Sequence, residues 1–288
     1  MMPSQLVAPT TVTTGPAIWD RVWRHAPDVE KDEARLAREA RGRRWEEIVR
    51  FLNVALGELR GLRTIELGSG LGDLSVLLAR AGADVTLLDY CDKALTLARQ
   101  RFNRLGLPAT FARADFLGDL SEYAGRYDVV LSIGVVEHFR GTARTAALAA
   151  HRAVLRTGGA VVISVPHALC PTYRIWKAYL QFRRWWPYGL EIPYTKGELS
   201  RRARCAGFEQ VRCQAFGFRE SWSEHVLRGL LRRDVSVDDR ASRFDATLGL
   251  VLMMTGIASE RSVPPGAGMT LPDRGSCFAR QGQAGEAR

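Results

Sequence analysis

The chain has 288 residues, 46% of them hydrophobic and 25% charged, with a formal net charge of +10. That composition fits a folded globular protein with a sizeable core and excludes a fibrous or wholly disordered chain. The longest strongly apolar run, 248–258, is shorter than the roughly 20 residues that span a bilayer.

The five cysteines are scattered and never stand as C-x-x-C, so neither a disulfide framework nor a zinc site is expected. The N-terminus has no basic stretch ahead of an apolar one, so no secretory signal is expected and the reading is a cytoplasmic protein. The positive charge suits an anionic membrane surface, nucleic acid, or simply an arginine-rich exterior.

Residues 1–18, rich in Pro, Thr and Ser, read as disordered. Residues 19–60 read as a helical cap, because Trp45, Ile48, Val49, Leu52, Leu56 and Leu59 recur at three- and four-residue steps. From 61 to 258 strand and helix signals alternate as one domain. Strands are predicted at 63–67, 84–88, 109–113, 127–133, 160–165 and 209–216, with an apolar segment at 247–257. Helices are predicted at 74–81, 92–105, 142–155 and 196–206. An aromatic and basic insertion at about 167–194 interrupts the rhythm, and 259–288 reads as a flexible tail. Strands alternating with helices, and nearly continuous apolar strands such as YDVVLSI, predict a parallel sheet covered on both faces.

Chemistry concentrates at the strand ends. The first turn reads Glu66-Leu67-Gly68-Ser69-Gly70-Leu71-Gly72-Asp73. Glycines let the chain turn tightly and let its backbone approach a ligand, while the next helix offers free N–H groups. Asp73 stands where a dinucleotide fingerprint wants its third glycine, and an anion there would oppose a pyrophosphate. Glu66 instead suits a cationic amine. Asp89 ends the second strand, where a carboxylate can accept ribose hydroxyls. Asp115 follows the third strand and Ser132-Ile133-Gly134-Val135-Val136-Glu137-His138 ends the fourth.

Taken in order, ELGSGLG, LLDY, ADF, YDVVLSIGVVEHF and LRTGGAVVISVP resemble the class I S-adenosylmethionine-dependent methyltransferases over residues 61–166. The resemblance implies a Rossmann-like, seven-stranded, mostly parallel sheet with helices on both faces and its last strand inserted antiparallel. It also implies S-adenosyl-L-methionine as cofactor. Glu66 and the backbone of Gly68, Ser69, Gly70 and Gly72 would then hold the methionine part. Asp89 would bind the ribose, Tyr90 and Phe116 would flank the adenine, and Asp115 would take its amino group. The backbone around Ser132 and Ile133 would receive the methionine amine. A dinucleotide-binding domain without this chemistry is the bland alternative.

His138 and His167 follow the fourth and fifth strands on the same edge. Each is a candidate catalytic residue, His138 as general base toward an acceptor hydroxyl and His167 as its assistant. The alternative for His138 is that it merely holds the loop. His25, His151 and His225 read as surface or core residues. A subset of the family binds a divalent metal through Glu-x-x-Glu-His; here Gly134 stands in place of the first Glu, the pattern is incomplete and no metal is expected.

The insertion PTYRIWKAYLQFRRWWPYGL, 171–190, interleaves aromatics with Arg174, Lys177, Arg183 and Arg184. It reads as a lid over an apolar or aromatic small-molecule acceptor, with a second use as a peripheral membrane contact at the inner face. The expected reaction is O-methylation. RNA methylation and a non-catalytic, cofactor-binding partner subunit are the alternatives, although no appended RNA-binding module is visible.

Overall fold

A computed structural model of the chain describes residues 16–24, 29–233, 235–238 and 240–260. Its strands are β1 (Arg63–Leu67), β2 (Asp84–Asp89), β3 (Thr110–Arg113), β4 (Tyr127–Ile133), β5 (Leu155–Pro166), β6 (Phe208–Phe216) and β7 (Val251–Ala258). They form one sheet of order β3-β2-β1-β4-β5-β7-β6, parallel except that β7 runs antiparallel to both β5 and β6. Strands proceed outward in chain order from β1 to β3 in one direction and from β4 to β5 in the other, where β7 then inserts ahead of β6. The topological switch point is therefore between β1 and β4, where a crevice opens at the carboxyl ends.

Side chains alternate between two apolar layers, as the period of a strand requires. On β4, Val129 and Leu131 join one layer and Val130 the other; on β5, Val162 faces opposite to Val161 and Ile163. Both faces are covered by helices, which explains the near-continuous apolar runs in the sequence.

The N-terminal cap comprises α1 (Pro16–Val22), α2 (Val29–Arg41) and α3 (Arg43–Leu56). Ile48 and Leu52 of α3 are fully buried in the layer that also holds Leu87 and Val129. The predicted amphipathic stripe is thus the docking face. A buried ion network pins α2. Asp32, 3% exposed, pairs with Arg101 at 3.0 Å and Arg104 at 3.0 Å from α5 (Asp92–Arg104), the helix after β2. Arg101 also reaches Asp73, at the start of α4 (Asp73–Arg80), at 2.6 Å, and Arg35 of α2 pairs with the same Asp73. Asp73 therefore works for the fold, anchoring the cap to the glycine turn.

The remaining helices are α6 (Ala143–Val154), α7 (Pro171–Phe182), α8 (Lys196–Cys205), α9 (Phe218–Ser221) and α10 (Asp245–Leu248). Thr195 caps α8 by accepting from the Glu198 N–H at 3.2 Å, the cap expected of T-x-x-E. The insertion after β5 contains α7. A π-helix, Trp222–Leu230, continues from α9 and packs against α7. No local sequence pattern marks it. α1 begins at Pro16, ahead of the expected boundary at 19, and the apolar segment at 247–257 divides into the end of α10 and most of β7. The rest of the N-terminal stretch, His25, Cys277 and nearly all of the expected tail lie outside the described residues.

Candidate active site

The turn from β1 to α4 is shaped by glycine. Gly68, Gly70 and Gly72 have φ of +67°, +52° and +67°, a region that costs any residue with a Cβ. A Cβ on Gly68 would also stand 2.9 Å from the side chain of Val135. Asp89 then ties the turn to the end of β2. Its Oδ2 accepts from the Gly70 N–H at 2.9 Å and its Oδ1 from the Cys91 N–H at 2.9 Å. Two backbone donors hold the carboxylate in place while it still borders the crevice.

That crevice is a cavity of about 770 Å³, within the range of small-molecule and cofactor sites. Its wall includes Glu66, Gly68, Ser69, Gly70, Gly72, Asp89, Tyr90, Asp115, Phe116, Ile133 and His138. All but one of the expected cofactor residues thus meet around one space. Glu66 is 2% exposed and accepts a 2.5 Å hydrogen bond from Ser75. Burial pushes its carboxyl up to about 8, partly offset by the Ser75 bond. A buried acid short of a positive partner favours a cationic ligand group. Asp89 is likewise raised by burial. Asp115 is exposed and accepts from the Leu117 N–H at 2.9 Å, while Phe116 packs edge-on against Phe139 at 5.7 Å. Four acids, Glu66, Asp73, Asp89 and Asp115, line this cavity with Arg35, Arg44 and Arg113, each of which is paired with an acid, Asp73, Glu39 and Asp92 in turn. The acceptors left at Glu66, Asp89 and Asp115 fit a sulfonium amino acid joined to a nucleoside better than a pyrophosphate.

A second cavity of about 320 Å³ lies alongside. Trp19, Arg44, Ile133, Gly134 and His138 border both, so these residues mark the junction. Tyr173 of α7, Tyr188 and Glu191 from the segment after it, and His225 of the π-helix close the smaller space. His138 stands in a 3-10 turn, Val136–His138, and is 5% exposed. Its Nδ1 donates to the carbonyl of Leu190 at 2.6 Å, which leaves the lone pair on Nε2. Burial lowers its pKa below the ordinary 6.5, so the ring is neutral at pH 7. Trp19 packs edge-on against it, with centroids 5.1 Å apart.

Two expected residues are placed elsewhere. Ser132 is fully buried, borders neither cavity and bonds through Oγ to His151 Nε2 at 2.8 Å. His151 itself donates from Nδ1 to the Ala147 carbonyl at 2.7 Å and is a core residue, as expected. His167 borders neither cavity. It is 1% exposed, its Nδ1 donates to the Gly249 carbonyl at 3.1 Å, and it bridges to Tyr194.

Sequence reasoning missed Trp19, Trp23, Arg35 and Arg44 of the cap, and His225 and Glu191 beyond β5. No motif marks them; tertiary packing alone brings them to the crevice. Trp23 covers the turn so closely that a Cβ on Gly70 would stand 2.9 Å from its ring. His225 is held by Ser221 at 3.0 Å and stacks on Trp176 at 6.4 Å, and burial lowers its pKa to about 4.

Comparison with known proteins places this geometry in a family. Residues 65–159 match the family described as a methyltransferase domain. A ubiquinone biosynthesis O-methyltransferase of Cereibacter sphaeroides is 33% identical over 184 residues, 62% of this chain and 72% of that protein. The corresponding protein of Aromatoleum aromaticum is 33% identical over 161 residues, 52% of this chain and 65% of its own length, just short of two thirds. Among solved structures, magnesium protoporphyrin IX methyltransferase from Synechocystis, with bound S-adenosylhomocysteine, superposes with a TM-score of 0.54 at 18% identity. That match covers 84% of this chain and 94% of the other. At such identity it shows the shared fold.

Proposed function

The chain belongs to the class I S-adenosylmethionine-dependent methyltransferase family, and from that premise we propose that it methylates a hydroxyl of a small, apolar or aromatic acceptor. One observation carries the reading: a carboxylate-lined cofactor cavity and a smaller aromatic-walled cavity meet at His138. Oxygen as the nucleophile is supported by the curated relatives, which are named O-methyltransferases.

In this reading Glu66 and the backbone from Gly68 to Gly72 hold the amino-acid end of the cofactor. Asp89 takes the ribose, Tyr90 and Phe116 flank the base, and Asp115 accepts from its amino group. The backbone at Ser132 and Ile133 meets the amine. The bound cofactor supplies an electrophilic methyl on a sulfonium, whose positive charge is lost in the transfer. The protein's part is placement and proton removal. Trp19 and Tyr188 wall the acceptor against His138, and holding reactants in line can contribute up to about 7–11 kcal/mol. Nε2 of His138, unprotonated because Nδ1 is committed to Leu190, accepts the hydroxyl proton. His167 supports the site from the β5 end, through its contacts with Gly249 and Tyr194.

Among the described residues no helix is long and apolar enough to cross a membrane. For the lid we favour a peripheral membrane contact. Phe182, Ile175 and Trp185 are 86%, 58% and 52% exposed, and Arg174, Arg183 and Arg184 are exposed beside them. Aromatic and basic side chains together suit an anionic headgroup layer.

Transfer of a radiolabelled methyl group to small metabolites, lipid extracts and RNA, compared between wild type and His138→Ala, tests the reading. Label in a hydroxyl-bearing small molecule, lost in the variant, is the expected result. Label in RNA alone would overturn it.

A further inference from the structure

Glu137, His138 and Glu191 present ligand atoms that all lie within 4.8 Å of one another. Two carboxylates and an imidazole are donors suited to a hard divalent cation. Glu137 is 1% exposed and its Oε2 has no hydrogen-bond partner. Burial holds this acid well above its ordinary range, the Glu191 charge adds to that, and Arg144 and Lys177 pull it back. Such a group calls for positive charge.

The chain already provides it. Lys177, on the inner side of α7, has a side chain only 10% exposed. Its Nζ donates to the backbone carbonyl of Glu191 at 2.5 Å and lies 3.2 Å from Glu191 Oε1. The same ammonium acts electrostatically on Glu137 and on His138. A buried lysine seldom survives without such partners. A divalent ion here would sit beside a fixed ammonium and share one of its carboxylates. With Lys177 in place the three residues therefore do not fit the metal that a Glu-x-x-Glu-His pattern would hold, and Gly134 has already removed one of its ligands.

We propose that the Lys177 ammonium is the built-in counter-cation of the Glu137–Glu191 pair, making a divalent metal unnecessary, and that removing it uncovers a divalent-cation site. The lysine also ties lid to sheet edge: α7 contributes the ammonium, the segment after it Glu191, and the turn after β4 Glu137. What this means for turnover rests on the smaller cavity being the acceptor site; the cation binding itself does not.

The test uses manganese(II) as probe on the full chain, with binding read by loss of the free-ion electron paramagnetic resonance signal. Wild type should take up no stoichiometric ion. Lys177→Met should bind one ion at least about tenfold more tightly, a gain of about 1.4 kcal/mol or more. Adding Glu191→Gln should abolish that site. Should Lys177→Met fail to melt cooperatively, Lys177→Gln keeps a donor toward the Glu191 carbonyl without the charge, and the same gain is expected. Stoichiometric binding by wild type that Glu191→Gln removes would overturn the proposal, as would variants that fold and bind no better than wild type. None of these readouts needs methyl transfer, so they separate this proposal from the proposed reaction.

Discussion

His138 donates from Nδ1 to the carbonyl of Leu190 at 2.6 Å, so the turn after β4 and the segment after α7 share one hydrogen bond. That bond sets the tautomer of the proposed base, and burial lowers the ring's pKa below 6.5. The basic form is populated above that pKa. kcat should therefore rise with pH through an inflection below 6.5 and stay flat across neutrality. His138→Ala should lose about 10²–10⁴-fold in kcat with cofactor affinity little changed. A pH–rate profile and single-turnover kinetics check both; a variant that turns over normally removes the base assignment.

Glu66 makes a prediction about the empty protein. Its folded-state pKa of about 8 lies above the ordinary 4.5, so the folded chain keeps a proton that the unfolded chain releases. This acid's contribution to stability is full below 4.5 and is lost as pH rises through about 8. Glu66→Gln removes the dependence. The Tm difference, variant minus wild type, should grow more positive across that window in differential scanning calorimetry. A cationic ligand favours the ionised carboxylate, so wild-type cofactor binding should tighten with pH over the same range and release a proton. Losing the charge should weaken binding by roughly 10²- to several 10³-fold, in keeping with the roughly 3–5 kcal/mol cost of breaking a buried pair.

Gly72 opens α4 with φ of +67°, and a Cβ there would run into Leu87 of β2. Gly72→Ala should cost about 1–3 kcal/mol through overpacking and backbone strain. Urea unfolding would measure it. Gly106, with φ of +64° but open space around it, makes the control: Ala there should cost only the conformational part, about 1–2 kcal/mol or less.

The proposed membrane contact of α7 and the segment after it predicts a binding phenotype. Wild type should co-sediment with phosphatidylglycerol vesicles and much less with phosphatidylcholine ones. Each basic residue near an anionic surface is worth about 1 kcal/mol, so Arg183→Glu with Arg184→Glu should reduce partitioning by about tenfold or more. Phe182→Ser should weaken it without altering its salt dependence. Equal binding to both vesicle types would dismiss the contact.

What could be read from the sequence follows the range of the interactions. β1, β2, β4 and the glycine turn were legible because strand period and turn chemistry are local, and ligand groups of open α/β sheets sit at strand ends. Glu66, Asp89 and Asp115 can be placed at the crevice from sequence for that reason. The cap was seen as helices, but not that α1 brings Trp19 to within 5.1 Å of His138, since no local pattern encodes which crevice a helix covers. From sequence Asp73 reads only as hostile to pyrophosphate, and its work as an anchor for Arg35 and Arg101 depends on residues 38 and 28 positions away. The π-helix was invisible: 222–230 has no signature distinguishing it from an α-helix. His225 accordingly reads as a core or surface residue, and no local signal marks the Lys177–Glu191 pair, fourteen residues apart across a turn.

Isothermal titration calorimetry with S-adenosylmethionine tests the central claim most directly. One site per chain is expected for wild type, lost or greatly weakened in Asp89→Ala and Glu66→Gln, while a reduced nicotinamide dinucleotide gives no heat. Absence of S-adenosylmethionine binding by folded wild-type protein, or saturable binding of the dinucleotide in its place, would contradict the account.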